Sequence, residues 1–488
     1  MSDITTPLFI DGQAVSPSAF YDIFNPARPS QLVGRAASAS HDDVDSAIRA
    51  ADKAQRSWAA LSLEERASYL LKIADNLNAD EDEATARKRL FTTEHGKTLF
   101  ETNIEITRLA DRFRQVANFA AKLPEAEQIN GPVFDTLVTR KSRGVSLLIV
   151  PWNWPLAILG SKLPQALLAG NCVVIKLSEM ATLAPAKTII KIAEMLPAGV
   201  VNLITGDGAV LGDRMVSHPL VRQVNFTGSI PIGRHVMKLA AENLTPVTLE
   251  LGGNDAGLVL ADAQLTAEML KKLYISVFLT SGQICMALKR LYVHRSLFDD
   301  VVDGLTQIIN QQVIGDGLQD GVTLGPLNNL KQKRIVEAML AEADSANAEI
   351  RYGGQVPDQA LFDQGYFLRP SLVINPEPHL SIVRDEQFGP SLPIIPFDSD
   401  DDAIAMANDS DYGLSSSVWS SDDAHALAVA QQLEVGFTNL NAHGPTAMDG
   451  LSPFGGVKQS GIGRNFGREG IMQFQEIHSI SGNAGSLF

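Results

Sequence analysis

Val145-Ser-Leu-Leu-Ile-Val150-Pro-Trp-Asn-Trp-Pro155 is a short apolar run that ends in a turn bracketed by prolines. Four more runs of the same kind follow at 172–175 (CVVI), 200–204 (VVNLI), 222–226 (RQVNF) and 247–251 (VTLEL), with stretches of helical patterning between them. Near-continuous apolar strands separated by helices predict a parallel sheet covered on both faces. The expectation is an α/β fold with a doubly wound, dinucleotide-type domain, whose ligands meet the carboxyl ends of the strands. Residues 144–161 carry no charge, and Lys162 is the only charge between Arg143 and Ile175, a run as long as a membrane span. Pro151, Asn153, Pro155 and two glycines interrupt it, so buried α/β elements are expected there and not a lipid-facing helix.

Outward from this stretch, a chain of 488 residues has room for about three domains. The first 120 residues read mainly as helices. Residues 41–58 place Val44, Ala47, Ile48 and Ala51 at helical spacing, and 62–79 opens with Ser62 as N-cap and Glu65 as its capping-box partner. Residues 122–143, with Pro124, Gly131 and Pro132 ahead of Val133, Leu137 and Val138, read as an extended excursion from the core. Residues 265–440 form a second α/β set, with strands near 290–294 and 392–397 and helices near 298–312, 330–345, 401–408 and 422–432. The stretch 450–488 begins glycine-rich and closes in a strand-like tail from Phe474.

Lys and Arg number 40 against 56 Asp and Glu, a formal charge of −16, which argues against nucleic acid and anionic membranes as partners. Two cysteines, Cys172 and Cys285, exclude a disulfide scaffold or a multi-cysteine metal site and fit a reducing compartment. The N-terminus shows no basic and apolar leader, so a cytoplasmic protein is expected. The nine histidines show no paired spacing, and no metal is assigned. His95-Gly-Lys-Thr98 ends like a phosphate loop, but the position needing the first glycine is Phe91. Asp398-Ser-Asp-Asp-Asp402 resembles a calcium loop with Ala403 where the turn glycine belongs, and reads better as a solvated helix N-terminus.

Two glycine turns follow strands: Gly206-Asp-Gly208-Ala-Val-Leu-Gly212 and Phe226-Thr-Gly228-Ser229. The first has its third glycine one position late for the dinucleotide fingerprint. With the second, where helix N–H groups and a hydroxyl could meet a phosphate, a dinucleotide becomes one of two open readings. Cys285 lies in Gly282-Gln-Ile-Cys285, either a structural thiol at a turn or a nucleophile, whereas Cys172 within CVVI reads as a buried small hydrophobe. Glu250 ends an apolar strand before Gly252-Gly253. Burial there would raise its pKa toward a usable base, the other reading being a strand-end salt bridge. Asn153 is a neutral amide donor suited to an oxyanion, or to fixing the turn.

These motifs, Pro151-Trp-Asn153-Trp, Lys176-Leu-Ser-Glu179, Phe-Thr-Gly-Ser229, Leu-Glu250-Leu-Gly-Gly, Gly282-Gln-Ile-Cys285, Glu386-Gln-Phe388-Gly-Pro and Ser452-Pro-Phe454-Gly-Gly-Val-Lys458, stand in the order found in the NAD(P)-dependent aldehyde dehydrogenase superfamily, which the chain resembles along essentially its whole length. The resemblance implies a Rossmann-like NAD-binding domain (1–121 and 144–251), a catalytic α/β domain (252–449) and a small β oligomerisation extension (122–143 and 470–488), with 450–469 returning to the cofactor and active-site region. It implies Cys285 as nucleophile, Asn153 and the Cys285 N–H as oxyanion donors, Glu250 as the base for thioester hydrolysis and Lys162 in proton relay. NAD, with NADP as the alternative, would meet Trp152, Lys176, Ser178, Glu179, Gly208, Gly212, Phe226, Gly228, Ser229, Leu251, Gly252, Glu386 and Phe388.

Two departures stand out. The interval from Glu250 to Cys285 is one residue longer than in many members. Some members carry a glutamate after the arginine of Ser460-Gly-Ile-Gly-Arg464, as an outer relay, where this chain has Asn465. The expected function is oxidation of an aldehyde to a carboxylic acid. A CoA-acylating relative is disfavoured by Glu250, and a non-catalytic protein on the same scaffold by the intact Cys285, Glu250 and Asn153. Trp154, Met448 and Phe454 are expected to line an apolar pocket for an aromatic or medium aliphatic aldehyde, with no arginine placed for a substrate carboxylate. A protruding hairpin would expose strand edges unless paired, so a homodimer or homotetramer is expected.

Overall fold

In the computed structural model, residues 4–17, 19–123 and 126–487 are described; Pro124, used above to read the excursion, lies outside them. The five strands expected from the apolar runs form at Val145–Ile149, Val173–Lys176, Val201–Ile204, Val221–Thr227 and Val247–Glu250. They are parallel and form the middle of an eight-stranded sheet. Val145–Ile149 is central. The chain adds the next two strands on one side of it and then crosses back to lay Val221–Thr227 on the other. The crevice between these two strands, at their carboxyl ends, is the switch point where ligands of such sheets bind.

The uncharged run 144–161 resolves into a strand and the short helix Pro155–Gly160, followed by Leu163–Leu168. Leu147, Leu148, Leu156 and Leu159 are fully buried within the protein. Among the described residues no helix is long and apolar enough to cross a membrane. A seven-stranded sheet follows, built from Asp255–Val259 to Phe437–Leu440, and all of it is parallel except the edge strand Glu349–Tyr352. Ala126–Asn130, Phe134–Ser142 and Gln475–Asn483 pair antiparallel into a separate three-stranded sheet.

Sequence reading erred at the start of the chain. Helices His41–Ala59 and Leu63–Asn76 form as expected, the second with its Ser62–Glu65 capping box. Residues 4–38, however, hold five strands, not helices. Three of these strands are only three residues long, and Arg28–Ser38 carries a proline and a glycine, so none shows a clean period of two. Gln13–Val15 and Ala19–Asn25 pair antiparallel with their sequence neighbours, whereas Ile4–Thr6 and Leu8–Ile10 are completed by strands farther along the chain. The phosphate-loop look-alike is structural: Gly96 caps a helix in the left-handed conformation, and the Lys97 ammonium is buried against Glu105.

Candidate active site

Cys285 lies between helix Ala267–Phe278 and strand Leu288–His294 on a turn with three successive positive φ angles, 54° at Thr280, 53° at Ser281 and 74° at Gly282. Left-handed backbone costs a non-glycine residue roughly 1–2 kcal/mol, so surrounding bonds must hold it. The Glu101 carboxylate accepts the Thr280 N–H at 2.5 Å, and Ser281 Oγ donates to the Gly325 carbonyl at 2.7 Å. At Gly282 a Cβ would fall 2.2 Å from the Gly389 carbonyl oxygen, so only glycine fits.

Glu250 ends the strand that pairs with Val221–Thr227, placing it beside Thr227. The linker Leu251-Gly-Gly253 carries the chain from the first sheet to the second, and a Cβ on Gly253 would lie 2.8 Å from the Cys285 carbonyl oxygen. Glycine at this position is what lets the two segments approach. The Glu250 side chain is buried, with no hydrogen-bond partner at Oε1 and no ion pair among the described residues, so the salt-bridge reading fails. Burial pushes its pKa up to about 8, against the opposing charges of Lys162 and Arg464. The Cys285 thiol is pushed up to about 12 by burial. Lys289 opposes this, and Glu386, Glu250 and Asp255 reinforce it. Asn153 Nδ2 donates to the Gln283 carbonyl at 2.9 Å, tying its loop to the cysteine turn.

Two clefts meet at this thiol, and Cys285, Asn153 and Thr227 wall both. One, of about 710 Å³, is lined by Trp152, Gly228, Ser229, Leu251, Gly252, Glu386 and Phe388. The Phe226 ring lies behind Gly228, and Glu386 accepts the Gly253 N–H at 3.1 Å. Ser229 caps helix Ile230–Ala240 without a side-chain cap bond, leaving the first-turn N–H groups available to an anion. A Cβ on Gly252 would lie 2.4 Å from the Glu386 carboxylate, so the glycine keeps this wall open. Lys176 Nζ stands 3.3 Å from Glu179 Oε2 and close beside Gly208, at adjacent strand ends. These residues suit a dinucleotide. Two expected contacts are less direct: Ser178 Oγ accepts the Met180 N–H, and Gly212 is one turn into helix Gly208–Val216, with open space around its α-carbon.

The other cleft, of about 780 Å³, is walled by Trp154, Met448 and Phe454 as expected, together with Ile158, Met286 and Phe466. It also holds Arg108 and Arg112, where the sequence had pointed to no arginine placed for a substrate carboxylate. Both sit on helix Leu99–Ala117, in a segment without any glycine turn or motif to flag it.

Behind Glu250, the fully buried Lys162 ammonium donates to Asn225 Oδ1. Burial pushes the Lys162 pKa down to about 7, with Glu250 and Cys285 opposing. Sequence reading missed Asn225, and also Lys289, whose ammonium donates to the Cys285 carbonyl at 2.5 Å and stands 3.5 Å from Glu386. The one signal available was a polar residue interrupting an apolar strand, in RQVNF and in Ala287-Leu-Lys289.

A parallel-sheet switch-point cleft opening onto a thiol, with an apolar cleft on its far side, defines an α/β oxidoreductase scaffold. The chain belongs to the aldehyde dehydrogenase family, which it matches over residues 13–480. It is an oxidoreductase that acts on aldehydes with NAD(P) as acceptor. It is 35% identical over 481 residues to lactaldehyde dehydrogenase of Escherichia coli, covering 97% of this chain and 98% of that one. The identity to geranial dehydrogenase of Castellaniella defragrans is also 35%, over 480 residues, with 97% and 98% covered. Among solved structures, betaine aldehyde dehydrogenase of Staphylococcus aureus in complex with NAD+ superposes with a TM-score of 0.92 at 30% identity, covering 99% of this chain and 96% of that one.

Proposed function

We propose that the protein oxidises an aldehyde to a carboxylic acid through a covalent intermediate on Cys285. The observation that carries this reading is the position of the thiol where the two clefts join, with Glu250 and Asn153 beside it. Cys285 Sγ adds to the aldehyde carbon as thiolate. Because burial holds the thiol protonated, a base must take its proton, and Glu250, a buried carboxylate in the wall of the same cleft, is the candidate. The Asn153 amide and the Cys285 N–H stabilise the resulting oxyanion, each such donor contributing roughly 3 kcal/mol. Trp152, Gly228, Ser229, Leu251, Gly252, Glu386 and Phe388 would hold NAD, which would supply the hydride acceptor needed for the adduct on Cys285 to become a thioester. Lys176 and Glu179 hold the adenosine ribose. Glu250 then takes a proton from the water that hydrolyses the thioester, and Lys162 lies behind it to receive that charge.

The apolar walls Trp154, Met448 and Phe454 favour an aromatic or medium aliphatic chain. The three-stranded sheet with Ile129, Phe134 and Ile477 exposed favours a homodimer or homotetramer, acting in the cytoplasm. An aldehyde panel followed by NADH absorbance tests the reaction. NADH formation with free acid as product is expected. Turnover that requires CoA, with an acyl-CoA as product, would overturn hydrolysis.

A further inference from the structure

We propose that the substrate carries an oxyanion at the end remote from its aldehyde, and that Arg108 and Arg112 bind it. This rests on the reading that Cys285 receives the aldehyde carbon in the same cleft. Arg108 and Arg112 are one helical turn apart on Leu99–Ala117, so their guanidiniums share a face, and both line the cleft that has Cys285 in its wall. Two like charges brought together in a partly buried wall repel each other. They are also costly to desolvate unless an anion joins them.

No carboxylate joins them within the protein. Neither arginine forms an ion pair among the described residues, although Asp111 and Asp449 are near enough to be felt. Burial pushes both guanidiniums below their ordinary pKa, yet a guanidinium stays charged at any physiological pH.

Arg108 has a single hydrogen bond among the described residues, from Nη1 to the Pro445 carbonyl at 2.9 Å, leaving most of its five donors available. Arg112 is held more firmly. It donates to Gln115 Oε1 at 2.6 Å and to the Asp449 and Met448 carbonyls, and its guanidinium lies 4.9 Å from the centre of the Phe466 ring. Gly450 makes room for it, since a Cβ there would fall 1.7 Å from Arg112 Nη1. The contrast with Arg290 is informative. That side chain is buried too, but it donates to three backbone carbonyls and the Tyr292 hydroxyl, which satisfies the fork within the protein. The pair in the cleft has the opposite arrangement, one anchored cation beside one with free donors. The same cleft is walled by Trp154, Met286, Met448 and Phe454, so the part of the substrate that joins anion to aldehyde is a hydrocarbon chain or ring.

Matched pairs test this in the full-length enzyme with NAD: 4-formylbenzoate against 4-methylbenzaldehyde, 6-oxohexanoate against hexanal, and 4-formylphenyl phosphate to separate phosphate from carboxylate. The preference for the anionic member of at least one pair, as a ratio of kcat/KM, should be at least about tenfold. In Arg108→Met/Arg112→Met that ratio should collapse toward one, and Arg108→Lys should restore part of it. Equal use within every pair, or a ratio the double variant leaves unchanged, would overturn the proposal. Calorimetry on Cys285→Ala reads the anion site without turnover. Terephthalate should bind more tightly than the neutral 4-methylbenzamide, and the difference should vanish when both arginines are also replaced. If no aldehyde yields NADH but this binding difference holds, the oxidation reading fails while the anion site stands. If NADH forms but terephthalate gains nothing, the anion site fails alone.

Discussion

The buried ammonium of Lys162 donates to the amide oxygen of Asn225 and not to a carboxylate. Asn225 Nδ2 in turn donates to Asn465 Oδ1 at 3.0 Å. Asn465 stands where some relatives are expected to carry a glutamate, and an amide there neither accepts nor releases a proton at neutral pH. The titratable part of the chain behind Glu250 therefore ends at Lys162. On the proposed mechanism, protons taken up by Glu250 would leave through Lys162 or through water in the clefts.

Replacing Lys162 by Gln should move the pH dependence of thioester hydrolysis slightly to higher pH. Burial raises Glu250 to about 8 and the Lys162 charge opposes that rise, so removing the charge favours the protonated acid further, by a small margin because Lys162, pushed down to about 7, is mostly neutral at that pH. The base is active only when deprotonated. The rising limb of the rate against pH, near 8 in wild type, should shift to the alkaline side in single-turnover measurements. An unchanged or acid-shifted limb would contradict the coupling.

Glu250→Gln keeps the size of the side chain but cannot accept a proton from water. Mixing enzyme, NAD and a good aldehyde should give a burst of at most one NADH per active subunit and then a slow steady rate, because hydrolysis suffers more than acylation. An external nucleophile such as hydroxylamine should raise the slow phase. If Glu250 also deprotonates Cys285, the burst slows as well and its pH dependence flattens. Steady turnover equal to wild type would remove Glu250 from the role of base.

The two cysteines should respond in opposite ways. Cys285→Ala should abolish turnover while leaving NAD binding within error in a calorimetric titration, since Glu386, Ser229 and Phe388 line the cleft without the thiol. Cys172 is fully buried in the first core, so Cys172→Ala should leave kcat nearly unchanged and lower stability by at most about 2 kcal/mol in a denaturant melt.

NAD should be used in preference to NADP. On the proposed reading, the Glu179 carboxylate, 3.3 Å from Lys176, accepts from the ribose hydroxyls and would face a 2′-phosphate at close range. Glu179→Ala should narrow the ratio of kcat/KM for NAD over NADP, with Lys176 then free to meet the phosphate. A wild-type preference for NADP would show that Glu179 swings aside.

The strand pattern from 145 to 251 was enough to place the parallel sheet, and the turns at its strand ends were enough to put Asn153, Glu250 and Ser229 at its carboxyl edge, where they line the clefts. Both follow from local chemistry. A fully buried strand must be apolar throughout, and a side chain at a strand's carboxyl end falls at the ligand edge whatever surrounds it. Tertiary structure decided what the charges do. Arg108 reaches Pro445 across 337 residues, and Asn225 reaches Asn465 across 240. Whether an arginine ends in an ion pair, on a carbonyl or facing a cleft depends on which distant segment folds against it. The short strand Leu8–Ile10 has the same origin, since its ladder to the main sheet is completed by Leu203. Periodicity records which face of an element is buried, and it carries no record of which polar group waits on the other side.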